Sequence, residues 1–197
     1  RTLSPAGSAA RLSIFIFHRV LPVADPLLPF EPSAEQFAWM ARFFARTYKV
    51  LPLSEAARLL KEGSLPPAAA AITFDDGYAD NLEVAWPILE RHGLPATFFI
   101  ATAFLDGGRM WNDQVIEAVR GTPHGILDLR EFDLGMHALG EADSRVACYG
   151  KVLGKLKYFE HERRTAVADE IAARGGVSRQ CDLMMTRDQL RTLRWAG

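Results

Sequence analysis

Ala70-Ala71-Ile72-Thr73-Phe74-Asp75-Asp76-Gly77 is an apolar run that stops on two acids and a glycine. Pro66-Pro67 interrupts the chain before it, and a short apolar run between breakers reads as a buried strand. The aspartates therefore stand at its carboxyl end. Downstream, Leu82, Ala85 and Leu89 repeat at helical spacing up to Gly93, with Pro87 expected to bend that helix and Asp80 or Asn81 expected to cap it. Ala96-Thr97-Phe98-Phe99-Ile100 then reads as a further buried strand.

The same alternation holds upstream. Leu12–Phe17 is rich in β-branched and aromatic residues and reads as a strand, with His18 just past its end. Ser33 and Gln36 form a capping-box pattern that opens a helix with Phe37, Met40, Ala41 and Phe44 on one face. Tyr48–Leu51 reads as a short strand, and Ser54 and Gly63 bound a second helix. Strand and helix in alternation predict an α/β fold, a parallel sheet with flanking helices. From Phe104 the pattern loosens, and residues 104–185 read as a helical insertion after the fourth strand. Within it Asn112 is expected to cap a helix through Val119, and a long helix is expected over Lys155–Arg174, stopped by Gly175-Gly176. Thr186 and Gln189 make a second capping box, with Gly197 ending its helix. Four strands are too few to close a parallel barrel of about eight. The expectation is one incomplete domain over 1–197, with an open sheet edge at which two copies would pair.

Composition narrows the function. The 197 residues are 49% hydrophobic and 24% charged, with a net charge of -1 and no basic stripe, which argues against a nucleic-acid partner. No apolar run approaches the roughly 18 residues of a membrane span, so a soluble protein of the cytoplasm or cell envelope is expected. The start lacks both Met and a hydrophobic signal core. Cys148 and Cys181 suggest neither a disulfide scaffold nor a Cys-rich zinc site, and leave the redox compartment open.

In parallel α/β sheets, ligand sites form where the strands end, and His18, Asp75 and Asp76 all stand at such ends. Successive extended residues point to opposite sides, so one aspartate can hold a cation while its neighbour acts as a base. A divalent cation would keep both carboxylates ionised against their mutual repulsion. An Asp-Gly after a strand is also an ordinary turn, and a histidine there can be structural. Trp111 could stack on a ligand or simply pack against the insertion. His161-Glu162 begins like a zinc-protease motif, but Thr165 stands where the second histidine belongs.

The series Ala71-Ile72-Thr73-Phe74-Asp75-Asp76-Gly77-Tyr78-Ala79-Asp80-Asn81, then Pro87-Ile88-Leu89, then Gly93-Leu94-Pro95-Ala96-Thr97-Phe98-Phe99 resembles the polysaccharide deacetylase family, carbohydrate esterase family 4. Phe17-His18-Arg19-Val20 is similar to that family's first strand end. The resemblance implies the front part of a deformed (β/α) barrel and a hydrolase that removes N-acetyl groups from an amino-sugar polysaccharide. It assigns Asp75 as general base and Asp76 as ligand of a divalent metal, zinc above all, with His18 and Trp111 against the substrate. The family completes its metal site with a His-x-x-x-His pair that commonly follows a helix like Thr186–Gly197. No histidine of this chain is so paired, and the expectation is a truncated chain that binds metal weakly and turns nothing over. The rival is a non-catalytic carbohydrate-binding or remnant domain. A phosphoryl-transfer enzyme with an aspartate nucleophile ranks last, because such sites present Asp-x-Asp.

Overall fold

The computed structural model describes residues 4–123, 125–177 and 183–196, without the side chains of 195 and 196. The readings made on Cys181 and Gly197 lie outside the described residues. The chain divides into two compact units, one of Arg1–Ala24, Phe30–Gly107 and Asp182–Gly197, the other of Asp25–Pro29 and Gly108–Cys181.

The first unit is a parallel α/β sheet with helices. Its centre is β3 (Ala69–Phe74), buried at every position, as a near-continuous apolar run requires. β1 (Ser13–Phe17) pairs with it in parallel, Phe17 opposite Phe74. The other edge is shared: β2 (Lys49–Val50) pairs at the start of β3 and β4 (Thr97–Phe98) at its end. The expected fourth strand is thus only two residues long, because β4 meets β3 only at Thr73 and Phe74.

Helices α1 (Ala34–Thr47) and α2 (Leu53–Lys61) follow. Ser33 and Gln36 form the expected capping box. Phe37, Ala41 and Phe44 of α1 are buried in one cluster with Ile72, Phe74, Ala85 and Leu89. Each such burial contributes roughly 1.5–3 kcal/mol for the larger side chains. Ser54 does not cap α2, which starts one residue before it after Pro52 and has no side-chain cap.

The chain leaves β3 through a π-helical turn, Asn81–Ala85, and continues as α3 (Trp86–Arg91). Pro87 cannot donate to the preceding turn, and the wider π turn ahead of it absorbs that loss. Neither Asp80 nor Asn81 caps this helix. Both side chains are engaged with the end of β1 instead, as described below. In α7 (Arg187–Ala196) the capping box of Thr186 and Gln189 is present, and Gln189 also donates to Glu83 at 2.7 Å.

The second unit holds α4 (Trp111–Gly121), the antiparallel pair β5 (Gly125–Asp128) and β6 (Met136–Leu139), α5 (Ala142–Leu156) and α6 (His161–Arg174). Asn112 lies inside α4, and Met110 occupies the cap position. The long helix expected over Lys155–Arg174 is two helices, interrupted after Leu156. Its core joins Val115, Val119, Leu129, Val152, Leu156 and Ile171. Buried Arg145 donates to the carbonyls of Val119, Thr122 and Gly140, supplying partners to the last turn of α4 that no further helix provides. No helix among the described residues is long and apolar enough to cross a membrane.

Candidate active site

Parallel pairing in register brings His18 and Asp75 out of adjacent strands side by side: Phe17 faces Phe74, and the Asp75 amide donates to the Phe17 carbonyl at 2.9 Å. The backbone then turns hard. Asp76 sits at φ 74° and Gly77 at φ 83°, both left-handed, and the Gly77 amide donates to the Asp75 carbonyl at 3.0 Å. For the non-glycine Asp76 that conformation costs on the order of 1 kcal/mol, a strain that persists only where the surroundings hold it. They do: the Asp76 carbonyl accepts from the Ala101 amide at 3.0 Å and the Gly77 carbonyl from the Met185 amide at 3.0 Å. The Ala79 amide donates to the Leu183 carbonyl at 2.7 Å, so residues 183–185 run along the turn.

Asp75 and Asp76 are half-buried and His18 is exposed. Burial pushes the Asp76 carboxyl above its ordinary range; the charge of His18 pulls it back and that of Asp75 pushes it further up. The three sequence-identified groups therefore share one electrostatic site. Glu31 belongs to the same neighbourhood, raised by burial and drawn down by the Arg19 amide hydrogen bond and the charges of His18 and Arg19.

Sequence reasoning missed what holds this edge together. Arg19 Nε donates to Asp80 Oδ2 at 2.8 Å, and the Val20 amide donates to Asp80 Oδ1 at 3.3 Å. Asn81 Nδ2 donates to the His18 carbonyl at 2.8 Å, and the Arg19 guanidinium lies 4.8 Å from the Tyr78 ring centroid. The Arg19 amide donates to Glu31 at 3.3 Å. Asp80 and Asn81 thus clamp the end of β1 to the helix leaving β3. The only available signal was an arginine directly after His18 and an acid five residues after Asp75.

Trp111 belongs to the other unit, at the start of α4, where it packs against that unit's core with the Arg164 guanidinium 5.3 Å from its ring centroid. Among the described residues no three His, Cys, Asp or Glu side chains converge so as to hold a metal ion. Among the described residues Asp76 is not joined by the further ligands that a divalent site of the zinc kind needs.

Fold and site together define a parallel α/β protein with a carboxylate site at its strand ends. Residues 62–126 match the sequence model of the polysaccharide deacetylase family. The Bacillus subtilis protein YxkH, named as a polysaccharide deacetylase, is 30% identical over 92 residues, 46% of this chain and 32% of its own length. Among solved structures, the Streptococcus pyogenes deacetylase PplD in complex with acetate is 25% identical, with a TM-score of 0.43 over 48% of this chain and 44% of its own. A de-N-acetylase from Aggregatibacter actinomycetemcomitans is 26% identical, with a TM-score of 0.41 over 48% of this chain and 39% of its own. IcaB from Ammonifex degensii is 22% identical, with a TM-score of 0.41 over 100% of this chain and 99% of its own. This chain therefore covers about a third of its named relative YxkH.

Proposed function

We propose that this chain carries the aspartate half of a metal-dependent hydrolase that removes N-acetyl groups from an amino-sugar polysaccharide. The observation that supports it is the placement of Asp75 and Asp76, which lie within the segment that matches the deacetylase family, beside His18 at the carboxyl ends of β1 and β3. In this reading Asp75 is the general base. It takes a proton from water as the oxygen adds to the acetamide carbonyl; that proton is passed to the nitrogen as the carbon–nitrogen bond breaks, releasing acetate and a free amine. Asp76 is the carboxylate reserved for a divalent cation, most suitably zinc, whose chemistry when bound is to polarise the carbonyl. His18 is assigned to the sugar. The described residues do not complete a metal site, and the isolated chain is expected to be inactive.

The same reading takes the sheet unit as the front of a deformed (β/α) barrel and residues 104–185 as an insertion in it. β1 pairs only with β3 among the described strands, and Ile14 and Ile16 on it are 46% and 61% exposed, which supports self-association through that edge. A strict monomer in light scattering would end that part.

That the described residues do not complete a metal site favours one rival, a non-catalytic carbohydrate-binding or remnant domain. Acetate release from N-acetylglucosamine oligomers by the product of the complete reading frame separates the two. Release abolished by Asp75→Asn and by Asp76→Ala supports the hydrolase; no release from a product that binds the oligomers supports the rival.

A further inference from the structure

The outer face of α1 carries a group of side chains that the site above does not use. Trp39, Arg42, Phe43 and Arg46 are spaced three and four residues apart, which puts them on one side of the helix, opposite the buried Phe37, Ala41 and Phe44. Trp39 is 63% and Phe43 43% exposed, an unusual investment of aromatic surface in solvent. The two rings are held parallel, 5° between planes and 6.0 Å between centroids. Phe43 is fixed from behind by Tyr48, edge-on at 6.1 Å, and by buried Phe44, also at 6.1 Å. Arg42 and Arg46 are exposed and have no carboxylate partner among the described residues. The only acid on the helix is Glu35, in its first turn.

A rigid pair of flat apolar faces flanked by two unpaired guanidiniums fits a ligand with flat apolar faces and negative charge. We infer that this face of α1 is a surface binding platform for an anionic polysaccharide, a strand whose sugar rings stack on Trp39 and Phe43 while its carboxylates pair with Arg42 and Arg46. A lipid surface fits less well. A helix that lies in a bilayer offers it a continuous apolar face, and α1 has already committed that stripe to the core, leaving two rings between charges. The inference rests on the polysaccharide reading above and extends it from the strand-end site to a second place of contact.

The test is titration of the purified chain, by calorimetry and by the indole N–H resonance of Trp39. The probes are a hexasaccharide of alternating glucuronate and N-acetylglucosamine, an uncharged N-acetylglucosamine hexamer, and phosphatidylglycerol vesicles. The expected result is binding of the charged hexasaccharide that shifts the Trp39 resonance and weakens with salt. Trp39→Ala should lower the affinity about five- to tenfold, while Trp39→Phe retains most of it. Arg42→Gln with Arg46→Gln should weaken binding and flatten its salt dependence. All these positions are exposed, and circular dichroism checks that the variants fold. No binding of the charged hexasaccharide, equal binding by Trp39→Ala, equal binding of the uncharged hexamer, or Trp39-dependent binding to vesicles alone would each overturn the platform. Acetate release with glycan binding indifferent to Trp39 sinks the platform and spares the hydrolase; Trp39-dependent binding without acetate release from the complete product does the reverse.

Discussion

Arg19 and Asp80 form an ion pair 2.8 Å long, with side chains only 13% and 8% exposed, that ties the end of β1 to the helix leaving β3. Removing one partner leaves the other charge buried. Arg19→Met is expected to cost about 3 kcal/mol of stability in urea denaturation, because Asp80 would lose its charge partner while staying desolvated. A loss under about 1 kcal/mol would mean that the edge relaxes and lets water in.

Asp80 also sets a pH dependence. Burial pushes its carboxyl above the ordinary 3.8 by more than the Arg19 charge and its hydrogen bonds from Arg19, Val20 and Asn81 pull it down. The folded chain therefore holds this proton more tightly than the unfolded one. That contribution is complete below 3.8 and is lost as pH rises through the elevated value. Relative to Asp80→Asn, the native chain should lose stability over that rise. A difference that grows with pH would contradict the balance described.

At the turn, Gly77 has φ 83°, and a Cβ there would lie 3.1 Å from Ile100 Cδ1 and 3.2 Å from Ile100 Cγ2. Gly77→Ala is expected to destabilise by about 1–2 kcal/mol from backbone strain. Pairing it with Ile100→Val separates the terms: the shorter side chain should recover only the steric share. Full recovery would show that the left-handed backbone costs nothing here.

In the second unit, Cys148 is 2% exposed and its thiol is pushed up to about 11 by burial, against which Arg145 and Lys151 pull. The thiolate fraction at pH 8 is then very small. In a Cys181→Ser background, iodoacetamide should label Cys148 only as fast as the unit opens, and urea should accelerate it. Rapid labelling of the native chain would show a more open core.

Much of the sheet unit was legible in the residues. Local rules sufficed for β1, β3 and α1, because an apolar run between breakers and a Ser-x-x-Gln capping box are read within a few residues of chain. The same holds for the acid pair, since the end of β3 is written in Phe74-Asp75. The second unit was less legible. Residues 121–154 include the β5–β6 hairpin, whose four-residue strands are too short for periodicity to declare.

What the sequence determined alone is the parallel α/β pattern and the position of two acids and a histidine at strand ends, for these follow from local periodicity and strand direction. What only the tertiary structure decided is the job of polar residues whose partners lie far along the chain. Asp80 and Asn81 have the chemistry of helix caps, yet they serve Arg19, Val20 and the His18 carbonyl some sixty residues away. A cap is satisfied by its own helix and can be read from spacing; a buried ion pair depends on which strands become neighbours, and pairing β1 with β3 is a property of the folded sheet.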